Sequence, residues 1–281
     1  MWNLVSDSSC DLLERDFDSP SVQFTSVPLR IRVGEREFID NDRLRVTDLL
    51  KAMREEKAAS SSSCPSPGAF AKAFAKGAKT VCFTISSALS GSYNAALQGR
   101  ELCLEERPDK QICVIDSKST AGVPYLLLRR AKELMEADPA GERFEQICAE
   151  LRVYQASLRT CFTLENFDNL IKNGRMRPLV GTLLHTLGIH IAAIGTTAGS
   201  IQVMGKARGE AKTHKLLADI MKASKDCTGA AVMIHHCENL SGAVKLKETI
   251  LKELSVKSVE LIPCRGLNSF YAMEKGLIVG Y

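Results

Sequence analysis

"TVCFTISSALSGSYNAA", residues 80–96, decides the fold class. Its first six residues are apolar or β-branched with no polar alternation, which reads as a strand buried on both faces. From about Gly91 the chain runs on through "SYNAALQGRELCLEE", a helix. Between the two lies a short loop rich in hydroxyls. The order strand, hydroxyl loop, helix recurs on both sides. It appears at "WNLVSDSSCDL", residues 2–12, and at "QICVIDSKSTAGVPYLLLRRAKELMEA", residues 111–137. Buried strands alternating with helices imply a parallel sheet covered on both faces.

The rest of the first half fits around this unit. "QFTSVPLRIRV" and "REFID" read as extended, and "TDLLKAMREE" as a helix capped by Thr47. "SSSSCPSPGAF", residues 60–70, resembles a linker before a helix that Ser66 can cap and Gly77 can close. The second half has a different rhythm. Residues 143–158 form a helix and "RTCFTL" a strand. Residues 165–189 read as helix, glycine break, helix. "HIAAIGTTAGSIQVMGKARG" is a hairpin turning at "TTAGS", followed by two further βα units and the extended "KGLIVGY". The expected fold is α/β in two domains. Residues 1–150 would form a three-layer α/β/α domain with a parallel sheet. Residues 151–281 would form a two-layer α/β domain with a mixed sheet.

Composition narrows the functional classes. A net charge of +4, with Lys and Arg interleaved among Asp and Glu, leaves no basic footprint for nucleic acid. The ten cysteines form no C-x-x-C pair, and several sit in apolar runs, the usage of a reduced, cytoplasmic protein. The first ten residues lack the charge and apolar core of a secretion signal, and no apolar run is long enough to span a membrane.

In a parallel α/β sheet, ligands bind outside the carboxyl ends of the strands. Ser90 sits where the helix after residue 85 would be capped, and Gly91 lets an anion approach the unpaired N–H groups of the first turn. Ser62, Ser63 and Ser66 stand on a loop stiffened by Pro65 and Pro67. Each loop alone can be a helix cap. Four of them along one sheet edge make a donor-rich cleft. No G-x-G-x-x-G or G-x-x-x-x-G-K-[ST] run occurs, so the usual parts for nucleotide phosphates are missing. His235 and His236 are adjacent on a strand and point to opposite faces, so they do not share one metal ion. "ALSGS" lacks the first glycine of a nucleophile elbow.

The ordered set "DSSCDL", "SSCPSP", "ISSALSGSYNAA", "DSKSTAG", "NLIKNGR" and "GSIQVMGKARGEAK" resembles the DegV family of bacterial lipid-binding proteins. The resemblance implies a two-domain α/β protein with a long-chain fatty acid between its domains. Such a protein serves as the lipid-binding subunit of a bacterial fatty acid kinase. It has no catalysis or cofactor of its own, and its carboxylate is presented to an ATP-using partner subunit. By the same resemblance, the family's carboxylate-binding threonine falls on Ser62 and its serine on Ser90, with Gly91 adjacent. Ser63, Ser119 and Asn268 are second-tier candidates. Leu179, Leu183 and Leu187, at four-residue spacing, are candidates for the acyl-tail lining, though the first domain could supply much of it. Arg175 and Arg177 are either a solvated loop end or a docking patch for the kinase subunit. The family's C-terminal G-T-H-x-G-P-G is absent. In "RGLNSFYAMEKGLIVGY" the polar residues available instead are Asn268, Ser269 and Tyr271. Two other readings of the anion site are a small-molecule phosphotransferase and a lipid sensor without a kinase partner.

Overall fold

The computed structural model describes residues 2–56, 60–164, 166–177 and 188–281. In chain order its elements begin with β1 (Trp2–Asp7), β2 (Val22–Val27), β3 (Arg30–Val33), β4 (Arg36–Ile39), α1 (Val46–Glu55), β5 (Ser60–Ser63) and α2 (Pro67–Phe74). Then come β6 (Lys79–Thr84), α3 (Ser92–Glu106), β7 (Gln111–Asp116), α4 (Gly122–Glu136), α5 (Phe144–Ser157), β8 (Thr160–Leu164) and α6 (Asp168–Lys172). The last are β9 (Ile189–Gly195), β10 (Ile201–Arg208), α7 (Glu210–Ser224), β11 (Ala231–His236), α8 (Leu240–Glu253), β12 (Ser258–Pro263), α9 (Gly266–Ala272) and β13 (Leu277–Gly280).

The fold is α/β, with one parallel sheet, one mixed sheet and a small antiparallel sheet. The parallel sheet has the order β2-β1-β6-β7. Successive residues of β1 serve opposite faces, so both Leu4 and Val5 are fully buried. Val5, Cys82 and Val114 pack under Phe70, Phe74 and Ala96 of α2 and α3. Leu4, Val81, Phe83 and Ile115 pack under Leu127, Leu134, Ile147 and Leu151 of α4 and α5. This two-sided burial is why the strands read as unbroken apolar runs.

The mixed sheet has the order β10-β9-β8-β13-β11-β12. β11 and β12 are parallel, while β13 is antiparallel to both β8 and β11. One face, with Cys161, Ala192, Val232, Ile234 and Val279, packs on α7 and α8 through Leu217, Met221, Leu246 and Ile250. The other face, with Phe162, Leu164, Ile191, Ala193 and Ile278, turns towards the first half of the chain. The two sheets share α4, whose first residue lies on the backbone of β13. A Cβ on Gly280 would sit 2.4 Å from the carbonyl carbon of Gly122.

Several local expectations change. The serine stretch is no linker. Ser60–Ser63 is β5, antiparallel to β3 in the small sheet β4-β3-β5, with Ser62 opposite Ile31. Thr47 does not cap α1. The cap position falls two residues earlier, on Arg45, with no side-chain cap. Ser66 does cap α2, accepting from the Ala69 amide at 3.2 Å, but that helix closes at Ala75 and not at Gly77. Among the described residues no helix is long and apolar enough to cross a membrane.

Candidate functional site

Two buried carboxylates at strand ends organise the loops along the parallel sheet. Asp7, at the end of β1, accepts from the Ser9 amide and hydroxyl and, through its other oxygen, from the Ile85 amide at 3.0 Å. It thereby ties the first loop to the end of β6. Burial pushes its pKa up, against these hydrogen bonds. Asp116, at the end of β7, accepts from the Ser87 amide at 3.1 Å and the Lys118 amide at 2.9 Å, joining the next two loops. The Ser86 amide donates to the Ser119 carbonyl. The Ser86 hydroxyl donates across to the Gly199 carbonyl at 2.7 Å, so the β9–β10 hairpin tip is clamped onto the loop before α3. Gly199 has φ +85°, and a Cβ there would lie 2.1 Å from the Ser86 hydroxyl oxygen, so the contact requires glycine.

A cavity of about 270 Å³ lies between this loop edge and the inner face of the mixed sheet. Its apolar wall comes from Leu29 and Ile85 on one side and from Phe162, Leu164, Leu170, Ile201 and Ile278 on the other. Ser62, Ser63, Cys64, Ser90 and Gly91 form a hydroxyl-bearing corner of the same cavity. α3 begins at Ser92 with Gly91 as its N-cap, and the Ser90 hydroxyl oxygen accepts from the Ser92 amide at 3.3 Å. That leaves the Ser90 proton free to donate. Ser62 is brought to the corner by its pairing with β3 and contacts the Tyr271 phenol at 2.8 Å. Gly91 approaches Cys64 closely, with 3.2 Å from the thiol to a Cβ at that position.

The structure therefore gathers Ser62, Ser63, Ser90, Gly91, Ser119, Asn268 and Arg175 around one cavity. Their surroundings differ. Asn268 donates both amide hydrogens to protein, to the Ser9 carbonyl and to Asp11, and accepts from Thr120 at 2.6 Å. Ser119 is 2.6 Å from the Thr160 hydroxyl. Arg175 is half-buried, and its guanidinium donates to the Leu89 and Asn173 carbonyls, bracing the loop that carries Ser90. Arg177 is exposed and is not part of the cavity wall. Leu179, Leu183 and Leu187 lie outside the described residues.

Sequence reading did not single out the apolar residues of β8 and β13. The signal was present in "RTCFTL", every residue of which is buried from Thr160 onward: one face packs on α7, the other on the cavity. Tyr271 stands on α9, whose first amides are held by Asp40 at 2.8 and 2.9 Å and by Asp11 at 2.7 Å. Asp11 also contacts the buried His235 ring at 2.7 Å. Among the described residues no three His, Cys, Asp or Glu side chains converge as metal ligands.

Two α/β layers enclosing an apolar cavity with a hydroxyl-lined corner define a binding protein for a small amphipathic ligand. Comparison with known proteins then gives the family. The family model described as "Uncharacterised protein, DegV family" matches residues 1–272, and the chain belongs to the DegV family. A DegV domain-containing protein of Streptococcus gordonii is 35% identical over 281 residues, covering all of this chain and 98% of that protein. Among solved structures, the Streptococcus pneumoniae Fatty Acid Kinase (Fak) B3 protein loaded with linoleic acid superposes with a TM-score of 0.93 at 32% identity, over 100% of this chain and 98% of that one. A DegV family protein from Eubacterium eligens loaded with heptadecanoic acid gives 0.91 at 31% identity, over 100% and 99%.

Proposed function

We propose that this protein binds a long-chain fatty acid in the cavity between its parallel and mixed sheets and presents the carboxylate to a separate, ATP-using fatty acid kinase subunit. The observation that carries the reading is the cavity itself, where an apolar wall runs into a corner bearing the Ser62 and Ser90 hydroxyls and the Gly91 end of α3. The relatives with fatty acids bound support it. On this reading Ser62, Ser90 and Gly91 hold the carboxylate, and Ser63, Ser119 and Asn268 shape the site around it. The acyl tail lies along Phe162, Leu164 and Ile278. Arg175 and Arg177 face the kinase subunit. Residues 1–150 act as the head-group domain and residues 151–281 close over the tail. The ligand is the bound lipid, no cofactor is required, and the protein works in the cytoplasm without catalysing a reaction alone.

The energetics divide in the same way. A carboxylate at the α3 N-terminus gains about 0.3–1 kcal/mol from the helix dipole, with charge-assisted hydrogen bonds in addition. Burying an acyl chain gains about 0.8 kcal/mol per methylene, so some fourteen methylenes contribute roughly 11 kcal/mol before the costs of association. The tail supplies most of the gross gain, and the hydroxyl corner sets orientation and adds the margin that retains the lipid. Titrating delipidated protein with oleate tests the reading. Saturable binding at one site per chain is expected. A protein that takes up neither oleate nor palmitate is not a fatty-acid carrier.

A further inference from the structure

The hydroxyl corner contains Tyr271, one of the polar residues in the segment that lacks the family's C-terminal motif. The Tyr271 phenol oxygen lies 2.8 Å from the Ser62 hydroxyl oxygen, and both line the cavity. The phenol is held from three directions. The Tyr271 ring stands edge-on to Phe270 at 4.8 Å between centroids. Its helix α9 is fixed at the N-terminal end by Asp40 and Asp11. Asn169 from α6 donates to the Phe270 carbonyl at 2.7 Å.

The proton inventory of the pair determines what it can do. Ser62 and Tyr271 have one hydroxyl hydrogen each. One is used between them, and the other is free. A phenol is the stronger donor of the two and an alkyl hydroxyl the stronger acceptor, so the shared hydrogen is Tyr271's. With that assignment the Ser62 hydrogen is left available to a ligand in the cavity that Ser62 and Ser90 both line. We propose that Tyr271 is the positioning residue of the head-group site: it donates to Ser62, fixes the Ser62 rotor and makes Ser62 an obligate donor to the ligand carboxylate. This rests on the fatty-acid reading above and adds to it a preference for an ionised head group over a neutral one.

The test is a double-mutant cycle on delipidated protein, with oleate and oleyl alcohol as probes. Tyr271→Phe keeps the ring and removes only the hydroxyl. It is expected to weaken oleate binding several-fold and up to about tenfold, because Ser62 keeps its hydrogen but loses the contact that orients and polarises its charge-assisted bond, and to change oleyl alcohol binding less than about twofold. In a Ser62→Ala background, Tyr271→Phe is expected to have no further effect on oleate, because its action passes through Ser62. With [1-13C]oleate bound, the carboxyl titration midpoint should move up in Tyr271→Phe. Unchanged oleate affinity, an equal loss for both probes, or an undiminished effect in the Ser62→Ala background would each overturn the proposal. A wild-type protein that binds neither probe would overturn the fatty-acid reading, and this proposal with it. Wild-type binding with an inert Tyr271→Phe overturns this proposal alone.

Discussion

Asp40 offers a prediction whose size follows from the structure. Its side chain is fully buried and accepts the Gly266 and Leu267 amides at 2.8 and 2.9 Å, so it clasps the start of the helix that carries Tyr271. Burial outweighs these two bonds and, with the nearby Asp11 charge, raises its pKa from an ordinary 3.8 to about 6. The native state therefore holds the Asp40 proton more tightly than the unfolded chain does. The associated stability is fully present below pH 3.8 and is lost as pH rises through about 6. In full it amounts to about 3 kcal/mol. Between pH 7 and pH 5 it amounts to about 1 kcal/mol, or about 2–4 °C in Tm for a protein near this size. Asp40→Asn keeps the shape and removes the ionisation. Thermal melts of both proteins at pH 7, 6 and 5 isolate the effect as the difference in slope. The wild type should gain about 2–4 °C relative to the variant on going from pH 7 to pH 5. Parallel pH profiles would refute the reasoning, because they would mean that Asp40 is hydrated or already neutral at pH 7.

Three further outcomes are expected. Gly280→Ala places a methyl against the Gly122 backbone, 2.4 Å away, and should cost about 3 kcal/mol in urea unfolding, since neither backbone can yield without moving α4 off β13. Ser66→Ala removes the cap of α2 and should cost about 1 kcal/mol by the same measurement, with oleate affinity unchanged. Ile201→Trp, at a half-buried position of the cavity wall, should lower oleate affinity at least tenfold, roughly the worth of one or two displaced methylenes, while Tm moves little.

The parallel core was legible because its strands are buried on both sides. Nothing in "VCFTI" or "ICVID" competes with an extended, apolar reading, and the helices between them carry their own periodicity. The hairpin at residues 189–208 was legible from its turn, where the Thr196 amide closes on the Ser200 carbonyl. β5 was not. Four serines have neither apolar period nor β-branching, and they form a strand only because β3 presents its free edge to them. The place of β13 between β8 and β11 was equally hidden, because "LIVG" says that a strand is buried and not which strands flank it. The start of α3 was read one residue early. Ser90 turns back to the Ser92 amide from outside the helix, and Gly91 takes the cap position. At the cavity, Ser90 could be picked out from sequence because a hydroxyl at a strand-to-helix turn is a local feature, whereas Ser62, on β5, was singled out only by the family resemblance. The apolar wall could not be picked out, because it combines Leu29 with Phe162 and Ile278, residues far apart in sequence that only the closure of two sheets brings together. The Ser62–Tyr271 contact spans 209 positions and has no local signature at all.

The central claim is that the hydroxyl corner and the apolar wall together hold a fatty acid. Native mass spectrometry of the purified protein, followed by denaturation and extraction, tests it most directly. The account predicts a co-purifying mass of one long-chain fatty acid per chain, retained in the wild type and lost in a Ser62→Ala/Ser90→Ala double variant that melts like the wild type. An empty protein that also refuses added palmitate and oleate would contradict it, and Ser62 and Ser90 would then serve only the pairing of β5 and the turn before α3.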